Sequence, residues 1–184
     1  MPLTSLDPVT ALVVVDLQRG VIGLPTAHPV QEVIANAAAL ADAFRRRKLP
    51  VVLVNVAGRA PGRTEARVTA FPVSPEWFEL IPELGRDPSD ILVTKYTWGA
   101  FHGTPLDLQL RRHHVTQVVV CGISTSAGVE TTARAAYEHG YNVALAVDAM
   151  TDSSVDAHKN SVERIFPRLG ETGTTAEVLA RLRA

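Results

Sequence analysis

The sequence predicts an α/β fold, an open and mostly parallel β-sheet with helices on both faces. Apolar, β-branched runs alternate along the chain with stretches of helical spacing, the pattern of repeated strand–helix units. The strand-like runs are apolar at consecutive positions rather than at every second one, which marks strands buried on both faces. Polar residues gather where those runs end, the edge at which sheets of this kind bind ligands.

Residues 11–17 form a continuous apolar run broken at Asp16 and read as the first strand. Residues 30–47 place Val33, Ile34, Ala37, Leu40, Ala41 and Phe44 on one helical face. The run Arg45-Arg46-Arg47-Lys48 ends that helix, where cations complement the helix dipole, so it is not taken as a nucleic-acid patch. Residues 51–56 read as the second strand and 91–94 as the third. The Pro/Gly-rich excursion 58–88 between them is too long for a routine connection and is expected to be a lid, an Ω-loop or an oligomer contact. A short helix over 104–112, a strand over 117–121, a helix over 127–139 and a strand over 142–147 follow. A helix over 155–165, a short edge strand over 168–172 and a helix over 174–183 capped by Thr174 close the chain. There is no internal repeat and no composition break, so residues 1–184 are expected to form a single domain.

Composition narrows the classes of function. Apolar residues make up 46% of the chain, charged residues 20%, and the formal net charge is −1. That balance supplies no basic field for nucleic acid or an anionic membrane surface. No apolar run is long enough to span a bilayer, and the first residues lack the pattern of a secretory signal, so a cytoplasmic protein is expected. One cysteine permits neither an intrachain disulfide nor a cysteine-based metal cluster. The six histidines are scattered, with His113-His114 at a helix end and His102, His139 and His158 standing alone, so a metal site is not expected. Nothing in the sequence calls for a cofactor.

Three segments carry the candidate chemistry. Asp16 ends a buried strand, where a carboxylate is costly unless paired or protonated. It reads either as a loop cap or core ion pair, or as a general acid or base tuned by burial and a cation. Gln18 lies two residues on and can orient Asp16 or a substrate. Lys95 ends the third strand beside the aromatic loop Tyr96-Thr97-Trp98-Gly99-Ala100-Phe101. It reads as a solvated lysine or as the partner of Asp16, with Trp98 and Phe101 as pocket walls or core. The third segment, Gly122-Ile-Ser-Thr-Ser-Ala-Gly128, is a Gly-led turn between a buried strand and a helix. Its Ser124 and Gly128 N–H groups can cradle an oxyanion or a carboxylate. Cys121 falls inside the strand and reads as a core residue rather than a nucleophile. Arg59, Arg63 and Arg67 in the long excursion are either solvated or a source of an anion-binding cation.

Together, Ala11-Leu-Val-Val-Val-Asp-Leu-Gln18, Lys95-Tyr-Thr-Trp-Gly-Ala-Phe-His-Gly-Thr104, Gly122-Ile-Ser-Thr-Ser-Ala-Gly-Val-Glu-Thr-Thr-Ala-Arg134 and Asp148-Ala-Met resemble the isochorismatase-like (cysteine hydrolase) superfamily over nearly the whole chain. The resemblance implies a three-layer αβα sandwich, a dimeric or tetrameric assembly and a cis peptide between Ile123 and Ser124. It also implies a catalytic Asp–Lys–Cys set, in which Asp16 and Lys95 match the first two and Gly128 falls where the cysteine stands. The amidases of the family need that thiolate to form a thioester. Its isochorismatases look similar to this chain at that point, with glycine there, and cleave an enol ether to release pyruvate. Two residues after the lysine this chain has Thr97 where isochorismatases have arginine.

The expected function is therefore hydrolysis of a small carboxylated enol ether or related metabolite, with Asp16 as acid and Lys95 as its electrostatic partner and anion binder. The Ser124 and Gly128 amides form the anion cradle. The alternatives are amide or imide hydrolysis by water activated at Asp16, and a non-catalytic metabolite-binding protein.

Overall fold

The computed structural model describes residues 3–65 and 74–183, so Arg67 and part of the 58–88 excursion lie outside the described residues. Six strands form one sheet: β1 (Thr10–Val15), β2 (Val51–Val56), β3 (Ile91–Lys95), β4 (Gln117–Ile123), β5 (Asn142–Thr151) and β6 (Glu171–Gly173). Their order is β3-β2-β1-β4-β5-β6, and every pairing is parallel. The helices are α1 (Arg19–Ile22), α2 (Val30–Arg46), α3 (Leu106–Arg112), α4 (Glu130–Glu138), α5 (Val155–Asn160) and α6 (Thr175–Arg183).

Strand periodicity divides the buried residues into two cores. Leu12 and Val14 of β1 face one side, where they join Leu40 and Phe44 of α2 and Val178 of α6. Ala11, Val13 and Val15 face the other, with Leu106 and Leu110 of α3 and Ala133 and Ala136 of α4. The sandwich thus has three layers, α, β and α. Burying one such Leu or Phe side chain contributes about 1.5–3 kcal/mol, so two filled faces fix which side of each strand looks which way.

Strand order reverses between β1 and β4, the switch point at which open parallel sheets leave a crevice beyond their carboxyl ends. Gly122 lets β4 run close beside β1 there. Its φ is +117°, and a Cβ on it would fall 2.0 Å from the Val15 carbonyl oxygen, so only glycine fits.

Several boundaries differ from the sequence expectation. β4 and β5 continue to Ile123 and Thr151, because both remain paired past a register shift between Val120 and Gly122. The edge strand is Glu171–Gly173 rather than 168–172, since Phe166–Arg168 is a tight helical turn. The expected 155–165 helix is α5 followed by a wide turn over Ser161–Ile165, ahead of Pro167, which has no N–H to continue a helix. Thr174 caps α6 as expected: its hydroxyl accepts from Glu177 N–H, and Glu177 accepts in return from Thr174 N–H at 2.6 Å. In the excursion, Pro75–Phe78 and Pro82–Leu84 form tight helical turns, each opened by proline.

Candidate functional site

Asp16 follows β1 directly, in a left-handed backbone conformation with φ 52°. Aspartate tolerates that region better than most residues. The Asp16 N–H still donates to the Val54 carbonyl at 2.9 Å, so the carboxylate is held at the end of the sheet ladder. Lys95 is the last residue of β3, two strands away, and its side chain reaches across the end of β2 to Asp16 Oδ2 at 2.7 Å. Both side chains are buried, Lys95 at 2% and Asp16 at 8% exposure.

The ammonium of Lys95 has three protons, and the structure gives it three acceptors. They are Asp16 Oδ2, the Trp98 carbonyl at 2.8 Å and the Thr97 carbonyl at 3.2 Å. Lys95 therefore has no donor left for a ligand, which corrects the expectation that it binds an anion. Asp16 is the opposite case. Its Oδ1 is the one buried side-chain polar atom among the described residues without a hydrogen-bond partner. Burial pushes its pKa up to about 6, against the pull of the Lys95 charge and hydrogen bond.

A cleft of about 260 Å³ opens onto this pair, and Ser124, Gly128 and Trp98 line it with Asp16 and Lys95. Val21, Leu24, Trp77 and Arg59 complete much of its wall. The Ile123–Ser124 peptide is cis. Beyond it Thr125–Val129 is a wide turn, with Val129 N–H donating to the Ser124 carbonyl at 3.1 Å, and α4 continues from it. Gly128 faces the carboxylate: a Cβ at that position would stand 3.4 Å from Asp16 Oδ2 and 3.0 Å from Val15 Cγ1.

Two expected pocket residues lie elsewhere. Gln18 is fully buried, donates to the Val56 and Trp77 carbonyls and accepts from Val56 N–H at 2.7 Å. Its amide is spent on fastening the excursion to β2 and does not line the cleft. Phe101 points into the core, stacked on His139 at 5.1 Å between ring centres. Trp98 does line the cleft and is 66% exposed. Cys121 is fully buried in β4, its thiol pushed up to about 12 by burial and by the charge of Asp148, as a core residue requires.

Other contacts were not foreseen. Buried Asp152, just past β5, accepts from the Ser126 N–H at 2.7 Å and hydroxyl at 2.8 Å, which pins the turn. It is a carboxylate at a strand end, like Asp16, but the sequence hid it because β5 runs further than its apolar stretch. His158 is not alone: its ring lies 4.5 Å from that of His28, and its Nδ1 meets Thr125 Oγ1 at 2.8 Å. Burial and the neighbouring His28 hold its pKa below the usual histidine range. Among the described residues, no group of three or more His, Cys, Asp or Glu converges to hold a metal ion. No described helix is long and apolar enough to cross a membrane.

The family profile described as "Isochorismatase domain" matches residues 10–177. The chain belongs to the isochorismatase family of hydrolases. It is 42% identical over 182 residues to the uncharacterized isochorismatase family protein YecD of Escherichia coli O157:H7, covering 94% of this chain and 96% of that one. An isochorismatase family protein from Burkholderia thailandensis shares 44% identity and the fold at a TM-score of 0.94, over 98% of both chains. N-carbamoylsarcosine amidase from Thermoplasma acidophilum is 27% identical, with a TM-score of 0.76 over 91% of this chain and 96% of that one.

Proposed function

We propose that this isochorismatase-family protein hydrolyses a small carboxylated enol ether by acid catalysis, with Asp16 as the acid. One observation carries most of the weight: a buried carboxyl group with a raised pKa and an unpartnered oxygen stands at a cleft that no thiol lines. In this proposal Gly128 occupies the place where the family's amidases carry their nucleophilic cysteine, so no thioester forms.

The chemistry needs only a proton and water. Asp16 transfers its proton to the terminal vinyl carbon, and the ether carbon becomes an oxocarbenium centre. Water adds to that centre and returns a proton to Asp16. The hemiketal then breaks its C–O bond, releasing the alcohol and a 2-oxo acid. Lys95 tunes Asp16 and leaves the substrate alone, because its donors are used. The Ser124 and Gly128 N–H groups, with Arg59 at the cleft wall, hold the carboxylate. Arg59 is exposed and has no ion-pair partner among the described residues, so its guanidinium is available. Proton delivery of this kind is worth about 10²–10⁴-fold in rate.

The test is pyruvate release from isochorismate and related enol ethers by the native protein and by Asp16→Asn. Pyruvate from the native protein, reduced at least about 10²-fold in the variant, supports the proposal. Undiminished turnover in Asp16→Asn overturns it. Ammonia from amide substrates without pyruvate would instead assign Asp16 as the base of a water-mediated amidase. A ligand that raises the melting temperature but is never converted would assign a binding role.

A further inference from the structure

We propose that Thr132 is a positioning residue for the Asp16–Lys95 pair, because its buried hydroxyl ties the loop that cages the Lys95 ammonium to the turn at Gly128. The inference rests on the role given to Asp16 and Lys95 above.

Thr132 is fully buried on the first turn of α4. Its hydroxyl donates to the Gly128 carbonyl at 2.6 Å and accepts from the Ala100 N–H at 3.1 Å. One side chain thus satisfies a group from each half of the site. The first link is a bond back to the carbonyl four residues earlier, and it joins α4 to the end of the wide turn Thr125–Val129. The second link reaches the loop after β3. Ala100 lies two residues beyond Trp98, and the Trp98 and Thr97 carbonyls are the two neutral acceptors of Lys95 Nζ.

The loop between them lies directly on α4. A Cβ on Gly99 would fall 2.8 Å from Thr131 Cγ2, so the backbone approaches as closely as glycine allows. Within the loop, Thr97 Oγ1 donates to the Gly99 carbonyl at 3.2 Å and Thr104 Oγ1 donates to the Ala100 carbonyl at 2.5 Å. These fix the loop's own shape. The Thr132 hydroxyl fixes where that shape sits relative to Gly128, and hence where two carbonyls hold the ammonium against Asp16.

Removing the hydroxyl takes the partner from the buried Ala100 N–H and cuts the link to the Gly128 carbonyl. The loop can recover solvent only by lifting from α4, which draws the Thr97 and Trp98 carbonyls, and Lys95 with them, away from Asp16. Among the described residues, the charged groups that line the cleft around Asp16 are Lys95 and Arg59, and Lys95 is the one in direct contact with it.

The experiment titrates the Asp16 carboxyl carbon by NMR in the native protein, Thr132→Val and Thr132→Ser, with Asp16→Asn to assign the signal. This readout needs no substrate, so it stands or falls separately from the enol-ether assignment. Thr132→Val should raise the Asp16 midpoint by on the order of one unit, and Thr132→Ser, which keeps the hydroxyl, should restore it. Where turnover is measurable, the decline of kcat with rising pH should move upward in Thr132→Val by about the same one unit, with little change in KM. A folded Thr132→Val with the native Asp16 midpoint overturns the proposal. If the Val variant does not fold, Thr132→Ala carries the same comparison, with the same shift expected and the same null result overturning it.

Discussion

Among the described residues, the half-buried Arg45–Asp90 pair and the buried Lys95–Asp16 pair are built to opposite ends. Asp90 is gripped by the Arg45 fork, with Nε to Oδ1 at 2.9 Å and a terminal nitrogen to Oδ2 at 2.8 Å. Asp87 N–H adds a third bond to Asp90, and Arg45 spends its remaining reach on the Leu84 carbonyl. Every group there is satisfied, and the pair fastens α2 to the segment leading into β3. The Asp16–Lys95 pair has one bond between its members, a lysine whose other donors face carbonyls, and a carboxylate oxygen with no partner. A planar fork saturates a carboxylate, whereas a point-charge ammonium leaves half of it open. Burial with saturation gives a clamp. Burial with an open oxygen at a cleft gives a group whose protonation can be used.

Exchanging the roles by mutation tests that contrast. Asp16→Asn should cost about 10²–10⁴-fold in kcat while the fold persists, read from pyruvate release alongside circular dichroism. Arg45→Met should do the reverse. Leaving Asp90 buried without its cation costs about 3 kcal/mol of stability, read by urea unfolding, and kcat of the folded fraction should be unchanged. If Arg45→Met lowered kcat as much as Asp16→Asn, the division into clamp and acid would be lost.

A pH series sharpens the comparison further. The folded pKa of Asp16 lies near 6, above the ordinary aspartate value of 3.8, so between these values the folded protein binds the extra proton. Its favourable contribution is complete below about 3.8 and is lost as pH rises through about 6, some 3 kcal/mol in all. The stability of the native protein relative to Asp16→Asn should fall by that order across the window. Turnover needs the protonated form and should decline through the same pH. Lys95→Met, which removes the charge that lowers the Asp16 pKa, should move that decline upward by a unit or so. The smallest effect belongs to the exposed pair Arg46–Asp42 on α2, where Asp42→Ala should change stability by less than about 0.5 kcal/mol.

Much of this was legible in the residues. Consecutive apolar strands alternating with amphipathic helices are enough for a parallel sheet covered on both sides, because that pattern has no other way to bury itself. Asp16, Lys95 and the Gly122–Gly128 turn could be placed at strand ends because strand ends are where apolar runs stop. What the sequence could not say was which hydrogen bonds each polar group would spend. Gln18 was expected at the cleft and is consumed by backbone groups of Val56 and Trp77; Phe101 was expected there and belongs to the core. Lys95 was expected to bind an anion, but its three donors are taken by partners 2, 3 and 79 residues away in the chain. Asp152, Thr132 and the His28–His158 contact depend on pairings across 26, 32 and 130 residues, which no local pattern encodes. Periodicity and composition act on each segment by itself, so the sequence alone determined the layers and the strand-end residues. Which of those residues stays unsatisfied, and so available for chemistry, is a property of the whole set of contacts, and only the tertiary structure decided it.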